Sequence, residues 1–166
     1  VPIKYLIGEE GKGWKAVMHN FNHERFVFAA MSNRFARICL TDAVNFARSR
    51  ITFRRELAEH QVIRHKIAEM VQAVESTQAY LEQLAFAMTK GKINQLAGEI
   101  ALVKCMSTNA FDLCAKESMQ ILGGCGYIKN GAGERIERLY REVRVQSIAG
   151  GSQEVLIDLA MKQAKL

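Results

Sequence analysis

The stretch QVIRHKIAEMVQAVESTQAYLEQLAFAMTK, residues 61–90, decides the fold of this chain. Its least polar positions recur at alternating steps of four and three residues, at Ile63, Ile67, Met70, Val74, Thr77, Leu81, Leu84 and Met88. This spacing follows the period of an α-helix that buries one stripe, whereas a half-buried strand alternates at every second residue. The stretch therefore predicts a long helix that packs in a bundle.

The segments on either side of this stretch carry similar stripes. A weaker one precedes it and another follows after a break near Lys90-Gly91; they consist of Phe28, Met31, Phe35, Ile38 and Phe46, and of Leu96, Ile100, Val103, Ala110 and Cys114. Helices of about 30 residues are each about 45 Å long, so antiparallel packing is the economical arrangement. We therefore predict an all-α fold, an up-and-down four-helix bundle with additional short C-terminal helices.

The two ends of the chain bound this bundle. A final helix is expected from Ser152, as its N-cap, to about Lys165. The opening segment Val1–Gly8 is typical of the end of an apolar strand, and a glycine-bounded loop leads from it to a helix at Trp14. Because a lone strand has no sheet to join, we interpret residues 1–10 as the end of a preceding β-domain and a linker, and residues 11–166 as a C-terminal helical domain.

Composition sets broad limits on function. A content of 49% hydrophobic and 24% charged residues in 166 residues argues against disorder and favours one globular domain. The net charge of +6 favours anionic partners, although much of it can be solvated helix surface. No apolar run is long enough to cross a bilayer, so we expect no membrane partner.

The four cysteines, Cys39, Cys105, Cys114 and Cys125, show neither CxxC spacing nor the pattern of a small disulfide scaffold. We interpret them as reduced thiols, which indicates an intracellular protein. His19 and His23 lie one helical turn apart, but no third ligand has suitable spacing, so we predict no metal site.

The glycine-dense turn Gln120–Tyr127 closes a long helical run. Glycines allow a backbone to approach a ligand closely, and this makes the turn a candidate binding site. The same residues also suit a helix C-cap followed by a loop. The segment by itself leaves both interpretations open.

Several motifs then follow in a fixed order along the chain. They are VP at 1–2, LIGEEGKG at 6–13, Glu24-Arg25 within 21–30, RITF at 50–53, Leu57, His60-Gln61, the turn at 120–127, ERLYRE at 137–142 and IAGGS at 148–152. Together they resemble the C-terminal helical domain of the acyl-CoA dehydrogenases, and the resemblance covers nearly the whole chain.

The resemblance implies an FAD-dependent, homo-oligomeric enzyme with a helical domain at each end and a β-domain between them. It implies that one set of residues lines the FAD, namely Arg50, Thr52, Phe53, His60 and Gln61. A second set, Gln120, Ile121, Leu122, Gly123 and Gly124, would meet the FAD held by a neighbouring subunit. A permanent arginine cation and exposed backbone N–H groups suit phosphate and ligand oxygens.

One departure from the family pattern lies directly after Phe53. The family usually has glycine there, and this chain has Arg54, followed by Arg55. If the position requires a positive φ, the arginine is strained; otherwise two extra cations lie near the cofactor phosphates.

The reaction that the resemblance implies needs a base for the α-proton of an acyl thioester. Most family members carry a glutamate in the loop that matches Ile148–Ser152, but the corresponding residue here is Gly150. Glu24 occupies the helix position that carries the base in the isovaleryl-CoA and long-chain acyl-CoA dehydrogenases, which similarly lack the loop glutamate. We therefore expect Glu24 to be the catalytic base, because a carboxylate in a water-poor pocket becomes more basic.

The resemblance assigns further roles around this base. The backbone N–H of Gly150 would polarise the thioester carbonyl together with a flavin ribityl hydroxyl. Acyl-CoA would be bordered by Asn22, His23, Arg25 and Gly151, although Asn22 replaces the commoner aspartate. The flavin would be approached by Ser152, Gln153 and Glu154.

The expected partners are an acyl-CoA substrate, a second copy in a homodimer or homotetramer, and an electron acceptor such as an electron-transfer flavoprotein. The expected location is the mitochondrial matrix or a peroxisome in a eukaryote, or the cytoplasm in a bacterium. The alternative is a non-catalytic relative that serves in assembly or binds nucleic acid through Arg48, Arg50, Arg54 and Arg55. These arginines lack an interleaved aromatic stacking surface, so we do not expect nucleic-acid binding.

Overall fold

The computed structural model describes residues 1–91 and 93–164, and it gives only the backbone of Lys15, His19 and Asn94. Within these residues the chain forms six α-helices and one two-stranded hairpin. The helices are α1 (Gly13–Ser49), α2 (Gln61–Thr89), α3 (Ala97–Leu122), α4 (Gly124–Tyr127), α5 (Glu134–Ile148) and α6 (Gln153–Gln163), and the strands are β1 (Ile51–Thr52) and β2 (Arg55–Glu56). The described helices agree with the all-α prediction.

Side-chain contacts establish the directions of the long helices. Asn33 and Arg37 of α1 contact Gln78 and Glu75 of α2, so these two helices are antiparallel. Helix α3 is antiparallel to α2, as Cys114 Sγ lies 3.9 Å from Met70 O while Lys66 pairs with Glu117. Helix α5 is antiparallel to α1, since Arg135 near its start contacts Asp42 and Gly150 after its end contacts Arg25. Helices α1, α2, α3 and α5 therefore run up, down, up and down, and α1 and α3 are parallel.

The predicted stripe of α2 is confirmed. Six of its eight positions are buried, and the remaining two, Ile67 and Met88, are half-buried. The break near Gly91 is also confirmed, since α2 ends at Thr89 and Gly91 takes a φ of 74°. None of the described helices is both long enough and apolar enough to span a membrane.

Helix α1 buries a different face from the one its large apolar side chains predict. Phe28, Met31, Phe35, Ile38 and Phe46 are all only half-buried. The fully buried positions lie about one residue further along and are small, namely Ala29, Ser32, Ala36, Cys39, Ala43 and Ala47. Small side chains let two helix backbones approach closely, so the phenylalanines flank the contact with α3 instead of filling it.

The two chain ends differ in how they match the sequence. Ile3–Tyr5 form a turn of 3₁₀ helix and not the extended strand end expected there. The assignment of residues 1–10 to a preceding β-domain and a linker stays a prediction. The final helix is confirmed: α6 begins at Gln153 with Ser152 at the N-cap position, although no Ser152 side-chain bond caps it. Lys165 lies outside the described residues.

The hairpin after α1 has an unusual turn. Thr52 pairs with Arg55, and the two residues between them, Phe53 and Arg54, have φ values of 49° and 67°. Two consecutive positive φ values define a type I′ turn, for which Asn-Gly is the preferred sequence. The position of Arg54 therefore does require a positive φ, and the arginine is held in a conformation that favours glycine.

Replacing Arg54 by glycine should therefore stabilise this chain, by about 0.5–1 kcal/mol, because it relieves the left-handed strain of a residue with a Cβ. Urea unfolding followed by circular dichroism measures the change. Arg55→Gly is the matched control, since Arg55 lies in β2 and its guanidinium lies 3.0 Å from the His60 ring. That variant should lose stability, and a loss of equal size for both variants would contradict the strain.

Candidate functional site

The residues predicted to be functional lie at two opposite ends of the bundle. The first end joins the N-terminal half of α1 to the loop between α5 and α6, and it holds Glu24 and Gly150. The second end joins the hairpin to the C-terminus of α3, and the core cluster links these two segments through Ala47, Ile63 and Ile121. Counted at 1.5 Å per helical residue, Arg50 lies about 38 Å from Arg25 along α1.

At the first end, the loop between α5 and α6 is tied to α1 by Arg25. The Nε of Arg25 donates a hydrogen bond of 2.9 Å to the carbonyl oxygen of Gly150. Arg25 is buried, with 8% of its surface exposed, and its guanidinium lies 5.5 Å from the ring centre of Phe21. Burial lowers the pKa of Arg25, and neighbouring Glu24 partly opposes this effect. Arg25 therefore supports the loop, and its predicted contact with acyl-CoA stays a prediction.

Lys104 of α3 ties the same loop from the other side, and the sequence analysis missed it. Its Nζ donates to the carbonyl oxygens of Ser147, at 2.8 Å, and Gly151, at 2.9 Å. The side chain is fully buried. The only signal in the sequence was a lysine inside the apolar run ALVKCM at 101–106.

The loop itself leaves one backbone donor available. The N–H of Ala149 donates to Val145 O at 2.9 Å and that of Gly151 to Ile148 O at 3.2 Å, but no described residue accepts from the N–H of Gly150. Gly150 and Gly151 have φ values of 71° and 120°, a range that residues with a Cβ rarely adopt. The loop thus holds its neighbours fixed and keeps the Gly150 N–H without an internal partner.

Glu24 lies in an open groove beside this loop. The groove, of about 650 Å³, is lined by Asn20, His23, Glu24, Val27, Phe28 and Met31. Phe28 lies one helical turn after Glu24, and its ring would be 3.4 Å from a Cβ placed on Gly150. The groove therefore combines the predicted base with an apolar wall, and Phe28 of that wall lies beside the predicted loop. Asn22 is buried beside it, with 8% of its surface exposed.

The start of α6 continues from this loop. Gln153 bonds to Asn109 through its side chain, and its carbonyl oxygen lies 4.0 Å from Cys105 Sγ. The carboxylate of Glu154 accepts hydrogen bonds from the backbone N–H of Glu154 and from the Ser152 hydroxyl, and these bonds lower its pKa. Ser152, Gln153 and Glu154 lie at the first end with Glu24, and their approach to flavin stays a prediction.

At the second end, His60 organises the hairpin. A guanidinium can only donate, so Arg55 donates to Nδ1 of His60 at 3.0 Å, and Nε2 then carries the proton that faces Thr52 Oγ1, also at 3.0 Å. Phe53 packs edge-on against the same imidazole and remains 93% exposed. Arg50, directly before β1, and Gln61, the first residue of α2, are both exposed.

The glycine turn after α3 reaches the same end of the bundle. Gly123 ends α3 with a φ of 56°, and its N–H bonds to Gln120 O and Met119 O, so the helix C-cap interpretation is confirmed. Gln120, Gly123 and Gly124 are exposed. The side chains of Ile121 and Leu122 are buried in the core, so any ligand contact of theirs is confined to the backbone.

Three of the four cysteines lie in the core of the bundle. Cys39, Cys105 and Cys114 are buried, and burial raises the pKa of the Cys114 thiol to about 12, while Cys125 is exposed. All four are free thiols. Among the residues with described side chains, no group of three or more His, Cys, Asp or Glu could hold a metal. The side chain of His19 is outside that set.

Comparison with known proteins shows which family has this sequence and fold. Residues 11–165 match the family model described as "Acyl-CoA dehydrogenase, C-terminal domain". The chain is 38% identical to acyl-CoA dehydrogenase AFT10-1 of Alternaria alternata, over 98% of its own length and 39% of that protein. It therefore spans about two fifths of this curated relative.

Two solved structures show the same fold. The crystal structure of an acyl-CoA dehydrogenase from Geobacillus kaustophilus superposes with a TM-score of 0.94 at 28% identity, over the whole of this chain and 42% of that one. The complex of glutaryl-coenzyme A dehydrogenase with glutaryl-CoA superposes with a TM-score of 0.91 at 26% identity, over 99% and 41% of the two chains.

The two loop glycines should respond differently to substitution by alanine. A Cβ on Gly151 would lie 3.0 Å from Leu156 Cδ2, whereas one on Gly150 meets no atom closer than 3.4 Å. We expect Gly151→Ala to cost about 2–3 kcal/mol and Gly150→Ala about 1 kcal/mol, the latter from its positive φ alone. Urea unfolding of the two variants measures this difference, and an equal or reversed order would contradict the described loop.

Proposed function

The chain belongs to the acyl-CoA dehydrogenase family, whose C-terminal domain it matches, and we propose that it completes the active site of a longer FAD-dependent enzyme. The proposed reaction removes a proton from the α-carbon and a hydride from the β-carbon of an acyl-CoA thioester. The observation that carries the proposal is that Phe28, which lines the groove of Glu24, lies beside Gly150, whose N–H has no partner among the described residues.

Glu24 has the chemistry that proton removal requires. Val27, Phe28 and Met31 form the apolar wall of its groove and suit the acyl chain of a thioester. An acyl chain in the groove would exclude water from the carboxylate, and this makes the carboxylate a stronger base. We therefore assign Glu24 as the group that accepts the α-proton.

The N–H of Gly150 is assigned to the thioester carbonyl oxygen. Negative charge develops on this oxygen as the α-proton leaves, and a fixed backbone donor stabilises the charge without reorganising. The absence of a side chain at Gly150 leaves this donor accessible and makes room for Glu24 to serve as the base. FAD, when bound, supplies the acceptor for the hydride from the β-carbon.

The residues of the second end fit the phosphates and nucleotide of FAD. Arg50 is an exposed cation, Phe53 offers an exposed ring, and the exposed Gly124, which follows the cap of α3, lies near the same end. The bonds of His60 to Thr52 and Arg55 hold the hairpin in place for such a ligand. We assign Arg50, Thr52, Phe53, His60, Gln61 and Gln120–Gly124 to FAD, and Ser152–Glu154 to its flavin end.

The separation of the two ends supports a composite site. About 38 Å of α1 lies between Arg25 and Arg50, so both ends of one chain are poorly placed to serve the same reacting carbon. In a homodimer, the second end of one subunit can complete the site built on the first end of its partner. We therefore propose a homodimer or homotetramer that passes electrons to an acceptor such as an electron-transfer flavoprotein.

The first test of the proposal is the base. In the full-length protein, acyl-CoA should bleach the flavin absorbance, and Glu24→Gln should slow this reduction at least about a hundredfold, since it keeps the shape but removes the proton acceptor. Adding Gly150→Glu should restore part of the rate. The Cβ of a glutamate there would lie within 3.5 Å of Phe28 and Arg25, beside the groove.

Stopped-flow absorbance measures these rates, and a spectral titration with acyl-CoA checks that substrate still binds. Reduction of the Glu24→Gln variant at the parental rate would remove Glu24 as the base. A full-length protein that binds no flavin, or whose flavin is not bleached by any acyl-CoA, would favour the non-catalytic alternative.

Subunit mixing tests the composite site. Arg50→Ala alone should weaken FAD binding by about 1.5–3 kcal/mol, the scale of a charge-assisted hydrogen bond. Full-length chains carrying Glu24→Gln and Arg50→Ala, co-expressed with different tags, give mixed dimers after two affinity steps. The assay is run at an FAD concentration too low to saturate the Arg50→Ala variant. In each mixed dimer one site combines an intact Glu24 with the partner's intact Arg50, so about half the parental activity should return. Activity no higher than that of either single variant would place both ends of one site in one chain.

A further inference from the structure

Lys104 is fully buried in α3. Its side chain has no exposed surface, although lysine is among the residue types least often buried. No carboxylate forms a salt bridge with it among the described residues. Burial lowers its pKa, Cys105 partly opposes this shift, and nearby Arg25 adds to it. An apolar side chain of similar length would avoid the desolvation of a charge. Its contacts must therefore provide something that packing alone does not.

Those contacts lie on the last turn of α5 and on the loop that follows it. Lys104 Nζ bonds to the carbonyl oxygens of Ser147 and Gly151, which stand on either side of Gly150. From α1, Arg25 holds the carbonyl oxygen of Gly150 itself. Two cations from two parallel helices thus hold three carbonyl groups within five residues, while the N–H of Gly150 has no acceptor among the described residues.

The loop needs such support because of its composition. Gly150 and Gly151 lack the side chains that would limit their backbone, and both take positive φ values here. Without an anchor, this pair would sample many orientations of the peptide group that carries the Gly150 N–H. A donor without a fixed orientation stabilises a developing charge poorly, because the stabilisation depends on the donor being oriented before the reaction.

We propose that Lys104 is a positioning residue, which fixes the backbone N–H of Gly150 towards the thioester oxygen by holding Ser147 O and Gly151 O. This inference rests on the proposed function. It adds that α3, which carries none of the residues assigned to the substrate, sets the rate of the chemical step through the loop.

The test uses the full-length FAD-bound protein and three substitutions. Lys104→Met keeps an unbranched side chain but removes every donor, Lys104→Arg keeps charge and donors, and Lys116→Met is the matched control on the exposed side of α3. Lys104→Met should slow flavin reduction at saturating acyl-CoA by about 10–100-fold, less than the loss of the donor itself. The dissociation constant for acyl-CoA should change less than about threefold, and Lys104→Arg should recover most of the rate.

Two further measurements separate positioning from a general loss of stability. The infrared band of the bound thioester carbonyl should move back towards its position in water in Lys104→Met. Hydrogen exchange at the N–H groups of Ala149 and Gly151 should accelerate, while exchange in α2 stays unchanged. If Lys104→Met does not fold, Lys104→Gln, which keeps an amide donor, should fold and show an intermediate rate.

The outcomes distinguish the two proposals. If Lys104→Met has the same flavin reduction rate, thioester carbonyl band and hydrogen exchange as the parental protein, Lys104 has no positioning role. The proposed function would remain intact in that case. An equal loss of rate in Lys104→Arg would also overturn it, because donors and charge remain. If the unsubstituted protein does not reduce its flavin, the proposed function fails, and the exchange at Ala149 and Gly151 still decides whether Lys104 holds the loop.

Discussion

Close packing of α1 against α3 determines where the other elements of the bundle lie. The buried face of α1 consists of small side chains such as Ala29, Ala36 and Ala43. Helix α3 also buries small side chains, namely Ala110, Cys114 and Ala115. The Ser118 hydroxyl bonds to Cys39 O at 2.9 Å across this contact, and Phe35 and Phe111 pack beside it with ring centres 5.4 Å apart. A larger residue on either face would separate the helices, because a packed core does not yield by a methyl group without cost.

The parallel direction of these two helices has a chemical consequence. It brings Arg25 and Lys104 to the same end of the bundle, where both reach the loop that follows α5. Helix α5 is antiparallel to α3 and so delivers that loop to them. The opposite end receives the hairpin and the Gly123 turn by the same geometry. The bundle thus separates the chemistry proposed for Glu24 from the cofactor contacts proposed for Arg50, and this separation is the physical reason to expect a second copy.

Local strain is found at both ends. Phe53 and Arg54 hold positive φ values without being glycine, and Gly150 and Gly151 use conformations that only glycine adopts at little cost. In each case surrounding contacts hold the segment: His60 bonds to both strands of the hairpin, and two buried cations bond to the loop. Such over-determined segments are frequent at binding sites, where order before the ligand arrives reduces the entropy lost on binding.

The sequence by itself determined the helical class, the long α2 helix, the break at Gly91 and the start of α6, because periodicity and helix-ending residues are local properties of the chain. Its motifs also pointed to the family, since their order and spacing do not depend on packing. It did not determine which face of α1 is buried, because hydrophobicity selects the phenylalanines whereas close approach selects alanine. The convergence of Arg25, Lys104 and Gly150 joins residues more than 40 positions apart, and the strained φ of Arg54 depends on the pairing of Thr52 with Arg55. The φ of Arg54 is local, but the observed pairing was needed to choose between the two outcomes that the sequence left open. Only the tertiary structure could decide the buried face of α1 and the convergence on Gly150, because both are fixed by contacts between segments whose separation in sequence carries no record of their distance in space.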